Sequence, residues 1–127
     1  MYAAVQGRRI SVACFTVVAS LSAVAQDTAP ASFTASPGVY KILAEDENFR
    51  VLVATWQPGQ RDEWHSHPAA AVYSISGCDE QRIHMPGGKY VDAKSAKGRV
   101  SLNKAVVSHS FENRSAKQCQ TLIVERK

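Results

Sequence analysis

The chain reads as an all-β protein, a sandwich or barrel of about eight to ten short strands. Three observations predict this. Short apolar and β-branched runs recur after residue 38, turn-forming residues punctuate them at close intervals, and no segment keeps a helical period long enough to build a helix.

The first 25 residues stand apart from that pattern. Arg8 and Arg9 form a positive start, residues 10–21 an apolar stretch, and Ala23-Val24-Ala25 a small-x-small cleavage site. Together they predict a secretory signal peptide over residues 1–25, with Gln26 as the first mature residue and a periplasmic or secreted destination. The stretch is shorter than the ~20 residues a membrane-spanning helix needs, so no stable membrane anchor is expected. Cleavage leaves 102 of the 127 residues, enough for one small domain. Arg8 and Arg9 leave with the signal and no acid does, so 13 of the 15 Lys and Arg face 11 Asp and Glu, a formal charge of +2. Lys89, Lys94, Lys97 and Arg99 are dispersed among Gly, Asp and Ser rather than clustered on a face, which argues against nucleic acid as a partner.

The mature chain divides as follows. Residues 26–38, rich in Ala, Ser, Thr and Pro, predict a flexible leader that ends in an edge strand at most. Residues 39–44 and 49–56 are strand-like and flank the polar turn Glu45-Asp46-Glu47-Asn48, so they predict a hairpin. Pro58-Gly59 punctuates the entry to a strand that carries His65 and His67. Residues 71–76 alternate, Gly77-Cys78-Asp79 reads as a turn, and residues 80–85 form a further strand that stops at Pro86-Gly87-Gly88. Short strands follow at Tyr90-Val91 and residues 98–102, then longer ones at residues 106–111 and 120–125.

The chemistry lies in the histidines. Residues i and i+2 of a strand project from one face, so His65-Ser66-His67 delivers two imidazoles to the same side of a sheet. A third from a distant strand, His109, would complete a face of three nitrogens. Neutral imidazole suits zinc, iron, copper or nickel, and three protein ligands leave positions open for water or substrate. His84, in Arg82-Ile83-His84-Met85, reads instead as a hydrogen-bonded or solvent-facing residue.

The spacing around these histidines resembles the cupin family. Its first motif, Gly-x5-His-x-His-x3/4-Glu-x6-Gly, is matched by Gly59, His65, His67 and Gly77; its second, Gly-x5-Pro-x-Gly-x2-His-x3-Asn, by Gly98, His109 and Asn113. The chain departs at the glutamate, where Ala71 stands (or Ala70, by the alternative alignment), and at the proline and second glycine, which are Lys104 and Val106. The resemblance covers residues 39–127 and implies a double-stranded β-helix, a jelly-roll barrel with its ligand site inside. It also implies a divalent transition metal on His65, His67 and His109, with iron(II) or zinc the leading choices. Some relatives keep the histidines and bind organic ligands without metal.

Strand parity then groups further residues. If the strand runs unbroken, His65, His67, Ala71, Tyr73 and Ile75 share a face, as do Val107, His109, Phe111 and Asn113. Glu63, Tyr73 and Phe111 are therefore candidate lining residues of a substrate pocket, although Tyr73 and Phe111 also read as wall packing and Glu63 as an exposed strand-entry residue. Trp56 and Trp64 fall on the face opposite to the inward one, with core packing or a place at the barrel rim as their alternatives, and Asn113 reads as closing a turn. Cys78 and Cys119, the two cysteines left after cleavage, invite a disulfide in an oxidising compartment.

Two functions remain open. One is a metalloenzyme of the three-histidine dioxygenase type, whose centre lacks the glutamate's negative charge and so favours a small anionic chelating metabolite. The other is a non-catalytic module that captures a metal ion or small molecule, with a homodimer left open for either. A third, a cytoplasmic zinc-binding sensor, conflicts with the signal sequence.

Overall fold

The computed structural model of the protein describes residues 27–127, so the predicted signal peptide and its cleavage point lie outside the described residues. A one-turn helix α1 (Ser32–Ala35) precedes eight strands: β1 (Tyr40–Glu45), β2 (Phe49–Trp56), β3 (His65–His67), β4 (Ala70–Met85), β5 (Lys89–Ser95), β6 (Val100–Asn103), β7 (Val106–Asn113) and β8 (Cys119–Arg126). Every pairing between them is antiparallel.

The barrel is organised by β4. Its first half pairs with β8 on one side and β6 on the other, and its second half with β5 and β7. At 16 residues it spans about 50 Å, long enough to serve two sheets in turn. One sheet runs β1-β2-β8-β4-β6, the other β5-β4-β7-β3. The segment Gly77-Cys78-Asp79, expected to be a turn between two strands, is instead a bend within one strand. Gly77 takes φ +78°, and the register with β8 shifts between Ser74 and Gly77. A Cβ there would lie 3.0 Å from the Lys97 nitrogen and 3.1 Å from the Ser95 oxygen, so glycine is required by both conformation and space.

The core lies between the sheets. Leu52, Ala54 and Trp56 of β2 are buried together with Val39, Tyr40, Cys78, Cys119 and Ile123. β2 thus turns its even-numbered face inward, and Trp56 is a core residue at the cavity wall, while Trp64 is largely exposed. The predicted hairpin forms, with Tyr40 opposite Ala54 and Glu45 opposite Arg50. Cys78 and Cys119 are joined by a disulfide with Cα atoms 5.1 Å apart, which ties the bend of β4 to the start of β8. Asn113 closes the following turn: its amide donates to the carbonyls of Trp56, Gln57 and Lys117, and its carbonyl accepts from Ser115.

Residues 27–38 differ from the flexible leader expected of their composition. The Ala29 amide donates to the Val107 carbonyl and the Ser66 amide to the Pro30 carbonyl, so the segment runs along the free edge of β3. Ser32 and Ser36 are buried, and the Ser36 hydroxyl accepts from the Glu63 amide. Backbone pairing with the histidine strand outweighs the low apolar content.

Candidate metal centre

His65 and His109 are direct cross-strand partners of β3 and β7, and His67 lies two residues along the same face. The three rings meet with centroids 4.4 Å (65 to 109), 4.8 Å (65 to 67) and 5.3 Å (67 to 109) apart. Potential ligand nitrogens, one from each, all lie within 4.8 Å of one another. Histidines 44 positions apart in sequence are thus brought together by antiparallel register alone.

The hydrogen bonds decide what each ring offers. His65 Nδ1 lies 2.7 Å from the Glu63 carbonyl, which can only accept, so Nδ1 carries the proton and Nε2 keeps its lone pair. His67 Nδ1 lies 2.6 Å from a carboxylate oxygen of Glu125, with the same result. His109 Nε2 is buried with no hydrogen-bond partner among the described residues. Buried ring nitrogens are ordinarily satisfied, and a divalent cation is the partner that three convergent neutral imidazoles suit. The donor set therefore fits a metal ion.

Burial disfavours the charged forms of His65 and His109. Burial pushes His109 down from the ordinary 6.5 to about 3, helped by the nearness of His65 and His67. Burial also lowers His65, against the opposing pull of Asp62. Neutral imidazoles do not have to shed a proton before they ligate.

Behind His65 lies a network the sequence did not disclose. The Asp62 carboxylate is buried and accepts from the Tyr40 hydroxyl at 2.8 Å, Trp56 Nε1 at 2.9 Å and the Phe111 amide at 2.7 Å. Tyr40 places its oxygen 3.1 Å from His65 Nε2. Its phenol is held well above the usual value by burial, then by Asp62, so it stays protonated and its one proton goes to Asp62. Asp62 was legible only as one of several acids before the histidines, and Tyr40 only as a residue of the first strand.

A cavity of about 310 Å³ opens in front of the histidines. His67, His109, Tyr40, Trp56 and Phe111 line one part of it, and Ser74, Gln81, Ser95, Arg99 and Ser101 supply polar groups elsewhere on the wall. Of the pocket residues expected from parity, Phe111 lines the cavity, its ring 4.2 Å from that of Trp56. Tyr73 and Glu63 do not. Tyr73 is 43% exposed on the outer face, and Glu63 is exposed while its backbone serves Ser36 and His65. The reason is a break of parity between His67 and β4: Ala70, Val72 and Ser74 face the cavity, and Ala71 and Tyr73 face away. Of the two alanines that the alignments offer for the motif's glutamate, Ala70 lines the cavity and Ala71 does not. His84 lies outside the centre, with Nε2 2.8 Å from Glu112.

The chain matches no protein-family model and no curated protein. Its fold, however, is shared with solved structures. A cupin domain from Bordetella pertussis Tohama I superposes with TM-score 0.64 at 18% identity, covering 80% of this chain and 99% of its own. A protein with a double-stranded β-helix domain from Klebsiella pneumoniae matches with TM-score 0.56 at 23% identity over 69% of this chain and 75% of that one. An RmlC-like cupin with a double-stranded β-helix fold from Methanocaldococcus jannaschii gives TM-score 0.56 at 15% identity, over 69% and 78%. At these identities the likeness establishes the fold: the chain is a double-stranded β-helix of the cupin type.

Proposed function

We propose that this chain is an exported, single-domain metal-binding cupin that presents a three-histidine centre to a small anionic chelating molecule, and that with iron(II) it acts as a dioxygenase-like enzyme. The observation that carries the reading is the convergence of His65, His67 and His109 beside a cavity that His67 and His109 line, with a buried nitrogen of His109 left without a partner among the described residues. An iron(II) or zinc ion on these nitrogens would act as a Lewis acid toward a chelating oxygen or sulfur atom.

The protein's own groups supply the rest. Among the described residues no carboxylate lines the cavity and Arg99 does, so the wall favours an anion. Trp56, Phe111, Val72 and Ile83 give the ligand an apolar surface and keep water from the rings. The Tyr40 hydroxyl donates to Asp62 and stands on the same wall, its oxygen 3.1 Å from His65 Nε2. Ala70 contributes no ligand, which leaves one more position at the metal for the substrate than a glutamate would. Export is supported by the composition of residues 1–25 and is compatible with the Cys78–Cys119 disulfide.

Metal analysis of the protein purified from its native exported fraction, followed by oxygen consumption with β-dicarbonyl and thiol compounds, tests the proposal. Bound iron with substrate-dependent oxygen uptake is the expected result. Tightly held zinc without turnover would select the second reading, a non-catalytic binding module, which the same three nitrogens would serve equally well.

A further inference from the structure

The geometry points to Glu125 as a positioning residue of the metal centre. Its carboxylate fixes which nitrogen His67 offers and supplies, from behind the ring, the negative charge that Ala70 cannot place on the metal. This rests on the three-histidine reading above.

Glu125 belongs to the inward face of β8, two residues after Ile123, and is 1% exposed. Its neighbours across the sheet are Arg50 of β2 and Ala70 of β4. One carboxylate oxygen lies 2.6 Å from His67 Nδ1, and the other 3.4 Å from Arg50 Nη1. Arg50 makes its shorter contact, 2.8 Å, with Glu45. The closer and better-formed partner of Glu125 is therefore the histidine. Burying a carboxylate costs several kcal/mol unless its partners are well placed, and here the placement is directed at a single ring. The acid is absent from the cavity wall, and its short contact with the histidine cluster is through His67.

Two consequences follow from the chemistry. A carboxylate can only accept, so His67 is held with its proton on Nδ1 and its lone pair on Nε2, and the ring is made a stronger donor. A divalent ion on three neutral imidazoles carries +2, and a carboxylate one ring behind offsets part of that charge without occupying a coordination position. A glutamate at position 70 would make the same correction but would take up one of those positions. Ala70, a direct neighbour of Glu125 in the sheet, carries only a methyl group there.

The test compares Glu125→Gln and Glu125→Ala with the full chain as exported. The readouts are zinc affinity by competition with a chromophoric chelator, the visible spectrum of the cobalt(II)-loaded protein, and the His67 tautomer from long-range proton–nitrogen NMR. Outer-shell partners typically command 10- to 100-fold in affinity. Glu125→Gln should bind zinc about tenfold or more weaker with a shifted cobalt spectrum, and Glu125→Ala should also lose the single His67 tautomer. Equal affinity and an unchanged cobalt spectrum in Glu125→Gln would overturn the inference. Should both variants fail to fold, the metal-free wild type still decides: a proton on Nδ1 of His67 supports the role, and a ring protonated on Nε2 alone refutes it. A wild type that takes up neither zinc nor cobalt would refute the three-histidine reading itself, an outcome distinct from any failure of Glu125.

Discussion

Burial acts strongly on His109, and the residue links folding to acidity. Its folded pKa of about 3 lies below the ordinary 6.5. Between those values the unfolded chain takes up a proton that the folded chain refuses, so this contribution to stability is complete above about 6.5 and is lost as pH falls toward 3. Urea unfolding of the metal-free protein should show a midpoint that drops between neutral pH and about pH 4, and a His109→Gln variant should show a shallower drop. Identical slopes would mean that His109 is not shielded as described. Neighbouring residues differ just as sharply in what they face. Ala70 lines the cavity and Ala71 does not, so Ala70→Glu should tighten zinc binding by at least about the tenfold of an outer-shell partner, whereas Ala71→Glu should leave it unchanged. A tighter Ala71→Glu protein would place the parity break elsewhere. The His-x-His pair was readable because period-two geometry is local. The side on which Ala70 and Tyr73 emerge was not, because Pro68-Ala69 separates β3 from β4 and breaks the count.

At the scale of elements, β4 accounts for most of what the sequence concealed. Gly77-Cys78-Asp79 carries turn-forming residues, and locally a bent strand and a turn look alike; only the pairing of both halves with different partners makes them one strand. Gly77→Ala should destabilise the protein by more than about 1 kcal/mol, since it adds a side chain at positive φ against the backbone of residues 95–97. The adjacent disulfide closes a separation of 41 residues. On the chain-entropy account, the Cys78→Ser, Cys119→Ser protein should lose roughly 4 kcal/mol, read from denaturant midpoints under non-reducing conditions. No measurable loss would mean that the unfolded chain is already constrained in this region. The hairpin of β1 and β2 was legible because its turn residues and its alternation agree. The pairing of residues 27–38 with β3 was not, because backbone hydrogen bonds to an open edge leave little trace in composition.

For the whole molecule, the fold class followed from many short strands and frequent turns, and the double-stranded β-helix from the two histidine motifs. The buried carboxylates around the centre escaped notice, because Asp62 and Glu125 become partners of His65 and His67 only when β2, β3, β7 and β8 are assembled. In hindsight Glu125 carried a signal: it continues the inward parity of Ile123 on the last strand, where an acid requires a partner. The assembled barrel thus gathers three imidazoles, two outer carboxylates and an open cavity from residues on or beside all eight strands. That arrangement leads to one central claim, that a divalent ion is held by three histidines and by no other side chain. Metal stoichiometry measured side by side on the wild type and His109→Ala, with circular dichroism to verify the β-fold, tests it most directly. The account predicts one ion per chain in the wild type and little in a folded His109→Ala protein; stoichiometric metal in His109→Ala, or none in a wild type supplied with iron(II) and zinc, would contradict it.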